Sequence, residues 1–297
     1  MKRKFLIFAT LLSATITWTA QGQDVLVGQK VTADQRISMD RIDHSSWDAL
    51  LQKHVNEQGQ VNYRGWHASQ ADSAALDTYV NQLSAASFTE AATREGQLAY
   101  WINAYNAITI KGILKEYPTS SIRNHTSKIG GYNIWKNLKL QVGDRAISLD
   151  AMEHEVLRKM SEPRIHFAIV CASHSCPRLL NRAYVGTNLE AQLTENTKAF
   201  FANSENFRYD ESRRKFHMSS IIEWFAKDFG ADKAAQLATI APWLPSQAAA
   251  QAARSNSVSV SYLNYSWDLN ELPAAAAQGS GARPANQGST KRGSGRR

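Results

Sequence analysis

Both cysteines of the chain, Cys171 and Cys176, fall in one short loop, CASHSCP, with His174 between them and Pro177 closing it. Three chemistries suit that pattern. The first is covalent. Cys176 directly precedes Pro177, and PRLLN reads as a helical turn with proline at its first position. Cys176 would then sit at a helix N-terminus, where free N–H groups and the dipole favour a thiolate. His154, His166 and His174 are the candidate bases, and Asn103 or Asn106 could orient one of them. A Cys–His pair oriented by an amide is the logic of thiol hydrolases and acyl transferases. The second is structural: a Cys171–Cys176 disulfide would close a small, permissible ring and pin the loop. The third is a metal site, with Cys171, His174 and Cys176 as ligands and His154 or His166 as a fourth. Its spacing is tighter than the separated ligand pairs of most zinc sites.

The elements that must position these groups can be read from the hydrophobic pattern. Ile165 to Val170 reads as a buried strand feeding the loop. Ile165, Phe167 and Ile169 share one face, His166, Ala168 and Val170 the other, and a strand apolar on nearly both faces belongs at the centre of a sheet. Gln97 to Tyr117 reads as a helix apolar almost all round, hence buried, and ended by Pro118. Asn103 and Asn106 lie one turn apart on it. Buried amides need partners, so each either ties down the backbone of a neighbouring loop or lines a polar pocket. LDAMEHEVLRKM reads as a helix capped by Ser148, with Leu149, Met152, Val156 and Met160 facing inward. His154 falls off that face between Asp150 and Arg158, as a surface histidine or a site residue.

The remaining pattern predicts helices over Ile42–Val55 and Ala75–Ala86, and a short strand at Val61–Tyr63. One hairpin turns at Gly143-Asp144 and a second through DESRR. A helix is capped by Ser220 with Glu223, and a last strand lies within SVSVSYLNYSWDLN. The fold class expected is α+β: one domain with a small, largely antiparallel sheet flanked by helices.

Residues 1–22 have the basic start, apolar run and small residues of a cleaved secretion signal, too short for a membrane span. Residues 23–40 read as a flexible leader, 41–272 as the globular domain and 273–297 as a disordered basic tail. The formal charge of +8 looks suited to nucleic acid. Lys2, Arg3 and Lys4 carry three of those charges, however, and Arg283, Lys291, Arg292, Arg296 and Arg297 carry five, which leaves the body neutral. A nucleic-acid reader wears its charge on the folded face, so no nucleic-acid partner is expected.

Several stretches together resemble the bacterial secreted branch of the domain-of-unknown-function 547 (DUF547) family. They are WDALLQKHVNEQGQVNY, YWINAYNAITI, ISLDAMEHEVLR, IHFAIVCASHSCPRL and SYLNYSWDLN, running from about residue 43 to 270, with residues 90–205 the most specific. The resemblance implies an exported α+β protein and carries no activity. The functional expectation is a periplasmic or secreted thiol-type hydrolase or acyl transferase. Its site would comprise Cys171, His174 and Cys176, walled by Asn103, Asn106, His154 and His166. The alternative is a non-catalytic envelope binding protein with a structural disulfide. The expected partner is a small-molecule, peptide or glycan ligand. Neither a cofactor nor a membrane-spanning segment is expected.

Overall fold

The computed structural model describes residues 23–127 and 131–273. The stretch expected to be a secretion signal and nearly all of the one expected to be a disordered basic tail lie outside the described residues. What was read as a flexible leader is built into the fold. Val25–Val27 (β1) pairs in parallel with Leu138–Val142 (β2), and Ile37 bridges to Ala86. β2 pairs antiparallel with Arg145–Ser148 (β3) through the expected turn at Gly143-Asp144. A second sheet pairs Phe207–Asp210 (β4) antiparallel with Lys215–Ser219 (β5), and β5 in parallel with Ser259–Leu263 (β6). The class is α+β, with two small mixed sheets in place of one largely antiparallel sheet.

Three helices, Ser45–His54 (α1), Tyr63–Ala68 (α2) and Gln70–Leu83 (α3), pack around the longest one, Arg94–Glu116 (α4). The strand read at Val61–Tyr63 is reduced to two isolated bridges of Val61, to Val55 and to Glu271, because Asn62 caps α2 and commits Tyr63 to it. α4 begins where the Thr93 hydroxyl accepts from the Gly96 N–H, and residues Leu98 to Ile110 are buried without a break. A helix buried on all sides has no solvent face for polar residues, so Asn103 and Asn106 must find partners inside.

The chain then forms Ile134–Asn137 (α5), β2 and β3, and a composite helix. This starts as Leu149–Ala151 (α6), widens to a π turn over Met152–Val156 and tightens to a 3-10 turn over Leu157–Met160. Ser148 caps it as expected, its hydroxyl accepting from the Ala151 N–H. The widened turn changes the inward face, so that Leu157 is buried where regular spacing placed Val156.

The central strand is not formed. Pro163–Phe167 is a 3-10 helix, with Pro163 in its first turn and the Glu162 carboxylate accepting from the Arg164 N–H. The alternation of Ile165, Phe167 and Ile169 reflects burial on every side rather than a sheet. Ile165, Ala168, Ile169 and Val170 join a core around α4, while Phe167 joins a second core under β4–β6. That second core is closed by Leu189–Ala202 (α7), Ser220–Trp224 (α8), Ala226–Phe229 (α9), Lys233–Ile240 (α10) and Gln247–Arg254 (α11). The CASHSCP loop emerges at the seam between the two cores.

Candidate functional site at the seam of two cores

The loop is held from three directions. From α4, the Asn106 amide donates to the Ala168 carbonyl (3.0 Å) and its oxygen accepts from the Val170 N–H (2.9 Å). This fixes the backbone entering Cys171, in place of a strand's ladder. Asn103 does the same for Tyr184, donating to its carbonyl at 2.7 Å and accepting from its N–H at 2.9 Å. Both asparagines thus tie down backbone; neither orients a histidine. From the C-terminal side, the His174 N–H donates to the Asp268 carbonyl (2.7 Å) and the Ser175 N–H to the Ser266 carbonyl (3.2 Å). From α7, the buried Asn196 amide donates to the carbonyls of Phe167 and Arg178. Ala172 is left at φ +57°, a left-handed conformation that an alanine adopts only under constraint from its surroundings.

Cys171 and Cys176 are free thiols, so the expected disulfide is not formed. Residues 177–180 form no helical turn after Cys176 either, and the helix-terminus argument for its thiolate falls. The loop supplies the donors instead. The Cys171 N–H donates to Cys176 Sγ at 3.0 Å, and the Tyr265 hydroxyl lies 3.3 Å from it. The same hydroxyl stands 3.1 Å from Cys171 Sγ and 2.7 Å from Ser173 Oγ. Burial by itself pushes the Cys176 thiol up. Hydrogen bonds from the Cys171 thiol, the Tyr265 and Ser173 hydroxyls and the Cys171 N–H outweigh it and bring Cys176 down to about 6. Cys171 moves the opposite way, held well above the ordinary thiol range by its hydrogen bond to Cys176 and by burial. One proton stays on Cys171 and the negative charge sits on Cys176.

Cys176 opens onto a cavity of about 140 Å³ walled by Trp135, Trp224, Phe225, Tyr265 and Trp267, with Tyr105, Glu153 and His166 among its polar lining. Glu153 sits in the π turn, and its carboxylate accepts from the Tyr105 hydroxyl at 3.2 Å. Burial raises its pKa, against the lowering fields of His154 and Arg158 and the hydrogen bond from Tyr105. π turns recur at functional sites because the extra residue re-aims a side chain.

The histidines separate. His166 has a buried side chain stacked on Phe225, and its Nε2 lies 2.8 Å from Asp228 Oδ2. Burial depresses it to about 4, so it is neutral and donates Nε2–H to Asp228. Burial would raise Asp228, but Arg158, at 2.6 and 2.9 Å on its two oxygens, and His166 hold it below the ordinary carboxylate range. His154 is half-exposed and pairs with Arg158 through Nδ1 at 3.0 Å. His174 turns to Glu205 at 3.3 Å and bonds to neither sulfur, so Cys171, His174 and Cys176 do not make a ligand set. Among the described residues no three His, Cys, Asp or Glu side chains gather for a metal ion. His166 alone of the three shares the cavity with Cys176, and no hydrogen bond joins them.

The stretch from α4 to α7 carries most of this arrangement. Residues 89–201 match the model of the family described as protein of unknown function, DUF547. The DUF547 segment supplies both asparagines, Glu153, His166 and the cysteine loop. Asp228, Trp224, Tyr265 and Trp267 come from beyond it. No curated protein and no solved structure matches the chain. Glu153, Asp228 and Tyr265 were not legible as site residues. Glu153 adjoins the flagged His154 and sits in the π turn, one turn after the inward-facing Leu149. The aromatic alternation in NYSWD was the one available hint for Tyr265 and Trp267.

Proposed function

We propose that the chain is a thiol-dependent acyl-transfer enzyme, a hydrolase or transferase, with Cys176 as nucleophile. What carries this reading is a stabilised thiolate and a carboxyl whose pKa is raised by burial, both lining the same cavity. The Cys176 thiolate adds to a substrate carbonyl carbon, forming a C–S bond. Glu153 gives its proton to the leaving amine or alcohol as the carbonyl–heteroatom bond breaks, and a thioester remains. Water or an acceptor nucleophile then attacks the thioester, giving its proton to the Glu153 carboxylate. The C–S bond breaks and the thiolate returns. The Cys171 N–H and the Tyr265 hydroxyl, which stabilise the thiolate at rest, are the nearest donors for the oxyanion. Neutral His166, anchored by Asp228 and Arg158, is a wall of the cavity and not the acid of the first step.

Export to the periplasm or beyond, as in the secreted bacterial branch of the family, is part of the proposal and rests on residues 1–22. A second reading, a non-catalytic envelope binding protein, is favoured by the aromatic side chains of Tyr105, Trp135, Trp224, Phe225, Tyr265 and Trp267 at one cavity. Turnover of p-nitrophenyl phenylacetate by the reduced protein separates the two. The enzyme reading expects turnover that Cys176→Ser abolishes with the fold intact. Turnover that survives Cys176→Ser contradicts it.

A further inference from the structure

Cys176 and Pro177 line a second cavity besides the aromatic one. The first holds about 140 Å³. An apolar cavity of ~150 Å³ is enough for one benzene ring. Trp224 lies face to face on Trp267 (5.8 Å between centroids, 17° between planes), and Tyr265 packs on both. Among the described residues no lysine or arginine lines this slot, so an anionic acyl group would find no partner there. The second cavity, about 530 Å³, differs in chemistry as well as in size. Gln58, Gln60, His174, Asn203, Glu205 and Asn206 are among its walls. Each amide presents donors and an acceptor, the complement of a peptide backbone. A sugar ring would seek a flat aromatic face, and among the described residues Phe200 is the one Phe, Tyr or Trp that lines this chamber.

We propose that the scissile bond joins an acyl group bearing one ring-sized apolar substituent, held in the aromatic slot, to the amine of a peptide-like leaving group held in the polar chamber. This rests on the acyl-transfer reading of Cys176 and assigns its substrate class. By microscopic reversibility, the chamber that holds the leaving amine also holds an amine acceptor that takes the acyl group from the thioester.

The test uses p-nitrophenyl esters of phenylacetic, acetic and succinic acids, with glycylglycinamide added as acceptor. Full burial of an aromatic side chain predicts a kcat/KM about 10- to 100-fold higher for phenylacetyl than for acetyl, with succinyl the poorest. Trp224→Ala should collapse the phenylacetyl-to-acetyl ratio to within about threefold. Glycylglycinamide should divert the acyl group saturably, giving phenylacetyl-glycylglycinamide, and Gln58→Ala should weaken that saturation. If the turnover survives Cys176→Ser, the acyl-transfer reading itself fails, and this assignment with it. Turnover that needs Cys176 but shows no preference for phenylacetyl, or keeps its preference in Trp224→Ala, overturns the slot alone. Diversion that rises linearly with glycylglycinamide overturns the chamber.

Discussion

The six residues from Cys171 to Cys176 divide one proton unequally, and the division follows from which sulfur the donors face. Cys176 receives a backbone N–H, a neighbouring thiol and two hydroxyls, while Cys171 gives its own proton into that network. A thiolate formed this way needs no histidine base, which is why the separation of His154 and His174 from the sulfur does not count against catalysis. Its proton is already lost above about pH 6. Glu153 has the complementary requirement, being useful only while protonated. The profile of kcat/KM should therefore be bell-shaped, bounded by the ionisations of Cys176, at about 6, and of Glu153. Glu153→Gln should remove one of the two limbs and lower the rate on an amide by about 10²–10³-fold. It should cost much less on a p-nitrophenyl ester, whose leaving group needs no proton. Two unchanged limbs in that variant would assign the acid elsewhere.

Among the elements, α4 was legible and the segments it holds were not. All-round apolarity announces a buried helix, and asparagines set into one announce backbone partners. Nothing in IHFAIV distinguishes a strand from a 3-10 turn buried on every side. Pro163 and the Glu162 cap decide locally, and Asn106 supplies the hydrogen bonds a sheet would have given. The π turn is likewise invisible to a 3.6-residue period, and Glu153 sits within it. The disulfide was inferred from compartment and spacing, neither of which reports the hydrogen bonds that address Cys176. Asn106→Ala should strand the Ala168 carbonyl and the Val170 N–H, costing about 2–5 kcal/mol in chemical denaturation. It should also raise the Cys176 titration, because the Cys171 N–H follows directly from the released strand of backbone. Asn103→Ala should cost a similar amount and leave that titration in place. Equal effects of the two variants on the thiol would refute the positioning role of Asn106.

At the scale of the molecule, a cavity at the seam of two cores is walled by both. Tyr105 and Ile169 come from one and Ile221 and Phe225 from the other. The site therefore depends on the whole body, including the stretch beyond residue 201. Two buried histidines couple that body to pH. His44, bonded to the Tyr79 hydroxyl, and His166 are each depressed by burial to about 4. The unfolded chain binds these protons near pH 6.5 and the folded chain only near 4, so their contribution is complete above 6.5 and lost as pH falls between the two. The loss should be about 3 kcal/mol for each, read as falling denaturation midpoints from pH 7 to 4. Replacing His44 with a neutral isostere such as Gln should flatten part of that slope, and a slope unchanged by it would remove His44 from the account.

The most direct test of the central claim is the rate at which iodoacetamide labels each cysteine as pH is varied, followed by intact mass and peptide mapping of folded protein purified without reductant. The account predicts labelling of Cys176 alone, with a midpoint near pH 6. A midpoint near the ordinary thiol value of about 8.5, or labelling that begins only after reduction, would contradict it.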